Sequence, residues 1–374
     1  MLIKNALVFT EECRFEPLTV ITGGGRISGL LPADVMIKYS GEVTDASGCY
    51  LLPGLTDIHL HGGAGHDFCE GTEEAIDAIA EFELSQGVTS FCPATMTLPE
   101  ERITEILRCA AGYKKAPHRG AELVGVHLEG PFISRGKKGA QNEAYIQSPS
   151  AEKLRRWQAA AEGLVKLVTI APELEGALDC IAECCGEMRF SLGHTESGYD
   201  TAVRAIEAGA DHITHMYNAM PPFSHREPGV IGAAFDRGCY AELICDGVHV
   251  SPSAVRAAFR LFGSGRTVLI SDSMEAAGMP DGEYRLGGQA VRVSGSRAEL
   301  SDGTIAGSVT SLYKCMLNAA DMGIPLEAAV RAATIDPCRA IGIEEDHGSI
   351  APGKLSHLIL LDRESLAIRR VIKE

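Results

Sequence analysis

Between about residues 51 and 345, short β-type runs alternate with amphipathic helical stretches, and this alternation confines the chain to a largely parallel sheet with helical crossovers. Eight runs can be counted: LTDIHLH (55–61), VTSFCPA (88–94), LVGVHLE (123–129), VKLVTIA (165–171), RFSLGH (189–194), DHITHM (211–216), AELICD (241–246) and TVLISD (267–272). Helical periodicity fits residues 73–86, 99–111, 150–161, 174–185, 199–208 and 251–262, with 310–322 and 326–333 completing a ring. Eight strands with their helices in about 295 residues suit a (β/α)8 barrel of the TIM type better than an open doubly wound sheet.

The two ends read differently. Residues 1–50 hold short β-rich runs broken by Gly23-Gly24-Gly25 and other turn residues, and residues 346–374 repeat that texture. They are expected to meet in one small β-sandwich domain (1–50 and 346–374) flanking a catalytic barrel domain (51–345).

Charge and cysteine content narrow the partners. Fifty acidic against 34 basic residues leave a net charge of −16, a field that repels nucleic acid and obliges any anionic ligand to be held by a few local cations. The chain has no run of about 18 apolar residues and no signal-peptide pattern at its start, so no membrane partner is expected. Its 12 cysteines are scattered without a CxxC pair, which points to reduced, buried thiols in a cytoplasmic protein.

If the barrel is right, its chemistry sits where the strands end, because the βα loops converge there. His59 and His61, Glu129, His194, His215, His249 and Asp272 all lie at or just after strand ends. His59 and His61, two apart in a strand, face the same side, and one ion can be held by both; a pair of core or exposed histidines is the competing reading. Glu129, before Gly130-Pro131, would sit at the barrel mouth, where a buried carboxylate needs a cation. Asp272 could serve as general base and then general acid beside an activated water, or could simply cap a loop. His127 shares the face of Glu129, and either a supporting or a core-filling role fits it; His212, an odd offset from His215, should point away to pack against a helix. Histidine with carboxylate and no cysteine suits zinc and would also accept iron, manganese or cobalt. No GxSxG, GxxxxGK[ST], HExxH or strand-borne GxGxxG competes with this reading.

The HxH closing an early strand, single histidines on two later ones, the Asp of the last strand and the closing GSIAPGKLSHLILLD resemble the amidohydrolase superfamily. HLEGPF with KKGAQN, SLGHT, HMYNAMPPFSHREPG, DGVHV, SDSMEAAG and GTIAGS are similar, more narrowly, to its N-acetylglucosamine-6-phosphate deacetylase family, in the family's order and over nearly the whole chain.

The resemblance implies a metal-dependent hydrolase that deacetylates N-acetylglucosamine 6-phosphate; the alternatives are N-acetylgalactosamine 6-phosphate or a cyclic amide as substrate. It implies a main divalent ion at Glu129, His194 and His215, Asp272 as acid/base, and His249 polarising the acetyl carbonyl. Asn218, Ala219 and Arg226 would hold the phosphate, with Ala140, Gln141, Ile305, Ala306, Gly307 and Ser308 contacting the rest of the substrate. It allows Arg226 to act from a partner subunit, which implies a homodimer. His59 and His61 place the chain with the family's two-metal form, leaving one or two ions open. Two departures stand out: Gln141 replaces a histidine of some relatives, and Ser356-His357 replaces the superfamily's common Ala-Asp.

Overall fold

The computed structural model describes all 374 residues. All eight expected barrel runs are present as parallel strands: Leu55–Asp57, Val88–Phe91, Val126–Glu129, Val165–Ile170, Arg189–Leu192, His212–Ile213, Tyr240–Ile244 and Thr267–Ile270. Seven strands form one continuous ladder from Ala94–Thr95 to Thr267–Ile270, and a second ladder joins Glu122–Leu123, Val88–Phe91 and Leu55–Asp57. Loop backbone bridges the two: Asp272 N–H donates to His59 O (2.9 Å) and Ala94 N–H to Leu60 O (2.7 Å), which closes the ring. The buried carboxylate of Asp57 adds to that closure by accepting from Ser271 N–H at 3.3 Å.

The crossover helices follow from local chemistry. Thr72, Ser150 and Ser311 each precede a helix and accept from the backbone N–H three residues on, satisfying a donor that a helix start leaves free. Their apolar faces join a main core of 74 buried residues outside and around the barrel. Within the barrel a separate cluster of nine draws Leu167, Ile244, Val268 and Ile270 from three strands and Ile58, Cys92 and Val124 from residues just after three others, and is stoppered by Ile341. Above it lies a polar layer in which Thr169 Oγ1 is 2.8 Å from both His127 Nε2 and Thr214 Oγ1, and Thr214 Oγ1 is 2.6 Å from Ser191 Oγ. Barrel interiors fill in such layers; this one passes from apolar to polar toward the mouth.

Both chain ends enter one seven-stranded sheet, in the order Ile368–Lys373, His357–Asp362, Cys49–Pro53, Leu2–Phe9, Phe15–Gly23, Arg26–Pro32, with Val43–Asp45 paired to Leu2–Phe9. Its own core of 12 buried residues takes Ile3, Val20 and Leu51 from one end and Leu358, Leu360 and Ile372 from the other. No helix is long and apolar enough to cross a membrane. All 12 cysteines are free and nine are buried, so they pack as small apolar groups.

Three elements differ from the sequence reading. Helix Gly229–Arg237 follows the sixth strand, where the apolar, glycine-bearing run GVIGAAFDR shows no clear polar face. Helix Ile335–Ala340 is too short to register as a period. After the eighth strand, Gly282–Leu286, Gln289–Ser294 and Arg297–Glu299 form an antiparallel insert whose alternation of buried and exposed residues is confined to a few positions.

Glu83 of helix Glu73–Ser85 is fully buried, and neither carboxylate oxygen has a hydrogen-bond partner. Burial, with the charge of Asp57 second, pushes its carboxyl well above the ordinary range, so it is protonated in the folded protein. A raised folded pKa means stability is complete below the unfolded value, near 4.5, and declines as pH rises and the unfolded chain ionises. Glu83→Gln should therefore melt above wild type at pH 8, with the gap closing toward pH 5. Thermal unfolding at the two pH values checks this, and equal offsets at both would contradict a neutral Glu83.

Candidate metal and catalytic site

The strand ends carry unusual backbone. His194, His215, Ala219 and Asp272 have φ of 46°, 28°, 50° and 50°, a left-handed region that non-glycine residues enter at a cost of about 1–3 kcal/mol each. Neighbouring contacts hold them there. Ser134 N–H donates to His194 O (2.8 Å), Asn218 N–H to His215 O (3.0 Å), and Ser308 N–H to Asp272 O (2.7 Å). Gly193, just before His194, has no room for a side chain, because a Cβ would stand 2.5 Å from that of Thr214.

These turns aim six side chains at one point. Glu129 Oε1 lies 3.1 Å from both His194 Nε2 and His215 Nε2, which are themselves 3.1 Å apart. His59 Nε2 is 3.3 Å from the same oxygen, and His61 Nε2 is 3.4 Å from Glu129 Oε2 and 3.2 Å from Asp272 Oδ1. Two triads result, Glu129 with His194 and His215, and His59 with His61 and Asp272, all buried. An ion with ligand bonds of about 2.0–2.1 Å needs its donors a little over 3 Å apart, close to the spacing of the first triad.

The proton inventory supports the same fit. His194 Nδ1 is 2.8 Å from Lys137 O and must donate to it, so its Nε2 presents a lone pair to the cluster. His59 Nδ1 is 2.9 Å from Glu242 Oε2, and its Nε2 is buried without a hydrogen bond. Burial opposes charge here, yet Glu242 and Glu129 carry His59 well above its ordinary pKa, and hydrogen bonds accepted by Asp272 and Glu129 carry His61 to about 9. Burial likewise works against Glu129 and Asp272, but the surrounding imidazoles hold both below the usual carboxylate range. Negative charge concentrated in this way attracts a proton or a divalent cation, and the donor set fits the cation.

Two supporting groups were not singled out by sequence. Glu242, mid-strand and fully buried, bonds His59 and also accepts from His215 N–H at 3.1 Å. Asp246 Oδ2 is 2.7 Å from His249 Nδ1, while Oδ1 accepts from Val248 and His249 N–H. Burial lowers the pKa of His249, but Asp246 outweighs it and raises the imidazole above its usual value. His127 lies against His59, ring centroids 4.5 Å apart, and burial followed by the charge of His59 keeps it neutral. His212 points away, buried beside Tyr240 and bonded to Asp211.

A cavity of about 350 Å³ opens over the cluster. Ala140, Gln141, Asn218, Ala219, His249, Ile305 and Gly307 line it, and Lys137 is its one lysine or arginine. Gln141 accepts from Thr97 N–H at 2.6 Å and donates to Glu129 Oε2 at 2.5 Å, so it braces that carboxylate. Ala306 and Ser308 are buried outside the lining, where Ser308 Oγ donates to Ser271 O at 2.6 Å. Arg226 is not brought to this cavity in its own chain; it lines a neighbouring depression with Glu196, Tyr199 and Pro222. Leu286 of the insert and Thr304 close one side of the cavity, and Gln289 Nε2 of the insert donates to Ala140 O.

Residues 50–373 match the amidohydrolase family. The chain is 36% identical over 379 residues to N-acetylglucosamine-6-phosphate deacetylase of Bacillus subtilis (strain 168), covering 100% of this chain and 96% of that one. It is 33% identical to N-acetylgalactosamine-6-phosphate deacetylase of Escherichia coli O157:H7, with 96% and 94% covered. Among solved structures, a mutant N-acetyl-D-glucosamine-6-phosphate deacetylase from Mycobacterium smegmatis in complex with N-acetyl-D-glucosamine-6-phosphate superposes with a TM-score of 0.93 at 32% identity, covering 100% and 97%.

Glu242 orients His59 from behind, an arrangement whose loss typically costs 10- to 100-fold in metal affinity. Glu242→Ala should weaken divalent-ion binding to this cluster by about that factor. Metal content against free-metal concentration reads this directly, and an unchanged affinity would refute the role.

Proposed function

Because the chain belongs to the amidohydrolase family, we propose that it hydrolyses the acetamide of N-acetylglucosamine 6-phosphate to glucosamine 6-phosphate and acetate. The observation that carries this reading is Glu129 meeting His194, His215 and His59 at 3.1–3.3 Å beneath a cavity that Asp272 and His249 also line. Glu129, His194 and His215 would hold the main ion, and His59 with His61 a second one. Zinc suits these donors best, with iron, manganese and cobalt as alternatives. A bound divalent ion supplies Lewis acidity, making water acidic enough to ionise near neutral pH and polarising the carbonyl.

The chain's own residues do the rest. Asp272, ionised because the imidazoles around it outweigh its burial, takes the proton of the attacking water. His249 donates from Nε2 to the oxygen on which charge develops. Asp246 makes this possible, since it raises the imidazole and occupies Nδ1, leaving Nε2–H for the substrate. Asp272 then returns its proton to the amine nitrogen as the C–N bond breaks, so the leaving group departs neutral.

Asn218 and Ala219 would face the phosphate, and Ala140, Gln141, Ile305 and Gly307 the sugar, while Ser308 holds that turn against Asp272 and Ala306 ties it to Ala298 of the insert. Arg226 would complete the phosphate site from the partner subunit of a homodimer. Its planar fork can place two parallel bonds on phosphate oxygens. Residues 51–345 would form the catalytic domain, with 1–50 and 346–374 as the supporting β domain. The similarity to an N-acetylgalactosamine-6-phosphate deacetylase favours the C4 epimer as the second substrate reading.

Acetate release measured on both phosphosugars and on unphosphorylated N-acetylglucosamine tests the proposal. The 6-phosphates should be turned over and the unphosphorylated sugar should react far more slowly; equal rates on all three would reject it. Asp272→Asn should keep its metal and lose about 10²–10⁴-fold in kcat. Arg226→Ala should raise KM about 10- to 100-fold with kcat little changed, as removal of a charged hydrogen-bonding partner predicts.

A further inference from the structure

A second histidine–carboxylate cluster lies at the other end of the barrel, where the small sheet meets it. Glu122 belongs to the short strand Glu122–Leu123, His357 opens strand His357–Asp362 of the small sheet, and His347 sits on the segment leading back into that sheet. Glu122 is seven residues before Glu129, so at ~3.3 Å per residue it stands on the order of 20 Å from the site above. Each of the three offers a ligand atom, all within 4.8 Å of one another. His347 and His357 are only 9% and 8% exposed.

The hydrogen bonds leave this cluster incomplete. His347 Nδ1 is 3.0 Å from Ser90 Oγ, while its Nε2 faces Glu122 Oε2 at 3.9 Å, too far for a hydrogen bond. His357 Nδ1 is buried with no partner at all. The two rings are tilted by 56° with centroids 5.6 Å apart. Two neutral imidazoles and one free carboxylate oxygen thus converge at the lip of a solvent-connected cleft that also exposes Lys114, Asp346 and Lys373.

We propose that Glu122, His347 and His357 form a structural divalent-metal site, best suited to zinc, that ties the small sheet to the barrel, with water from the cleft as the remaining ligand. Two imidazoles and a carboxylate are a donor set zinc accepts, and closing the observed separations to those of a coordinated ion takes shifts of about 1 Å. Burial lowers both histidines, His357 to about 4, so each presents the neutral form that a metal requires. Cations nearby set the strength. Lys114 Nζ already donates to Glu122 Oε1 at 2.6 Å, and Lys373 lies close enough to depress His357, so this site should bind more weakly than the one at the mouth and give up its ion first to a chelator. None of this depends on the reaction proposed above.

Equilibrium dialysis of the full chain against buffered free zinc, with zinc per chain read by elemental analysis, tests the site. Wild type should bind one ion more than His357→Leu or His347→Leu, while acetate release by these variants stays within twofold. Zinc should also raise the Tm of wild type more than that of either variant. The same zinc content and the same zinc-induced Tm shift in all three proteins would overturn the proposal. Should the leucine variants fail to fold, Glu122→Gln decides: a tenfold or greater rise in the zinc needed for the extra ion supports the site, and no rise refutes it. A wild-type chain that releases no acetate would refute the deacetylase reading and leave the ion count to stand on its own.

Discussion

One carboxylate organises the mouth of the barrel. Glu129 is buried, and its two oxygens stand within 3.4 Å of four imidazoles supplied by three further strand ends or loops. A carboxylate taken from water into such a place is tolerated only with compensating positive charge. The surrounding imidazoles supply part of it, and a divalent ion would supply the rest. The supporting network is built to preserve this arrangement: Gln141 braces Glu129, Lys137 O fixes His194, and Glu242 fixes His59.

That convergence explains the strained turns. A strand delivers side chains to alternate faces at fixed intervals, and the ends of parallel strands are spread around a ring. Bringing His194, His215 and Asp272 inward to a single point requires the chain to turn as each strand stops, and all three do so with positive φ. Contacts from other loops hold the strain at His194 and Asp272, while His215 is held within its own turn by Asn218 N–H. The turn carrying Ile305 and Gly307 donates Ser308 N–H to Asp272 O, so a segment some thirty residues away fixes the backbone of the acid/base candidate.

Much of this was legible in the sequence because strand ends announce themselves. The β-type runs stop at turn residues, and His59, His61, Glu129, His194, His215 and Asp272 mark those stops. The offset rule also separated His215, which enters the cluster, from His212, which packs outside it. Glu242 escaped notice because it lies inside the run AELICD, where a single acidic residue among apolar neighbours has no positional mark. Arg226 could be recognised by motif but not placed, since a loop rich in proline and glycine has no period from which to derive direction. The insert after the eighth strand was silent for a related reason: its strands are short, mostly exposed and paired only with one another.

The small sheet pairs Leu51 with Leu360, positions separated by almost the whole barrel, and places Cys49–Pro53 between Leu2–Phe9 on one side and His357–Asp362 on the other. Contacts so distant in sequence carry a large loop-closure cost unless the intervening chain is already compact. The barrel must therefore condense first and bring the two ends together, after which the sheet can zip between them. The edge of Cys49–Pro53 finds its partner only when His357–Asp362 arrives, so that single seam latches the small sheet across the whole length of the barrel segment.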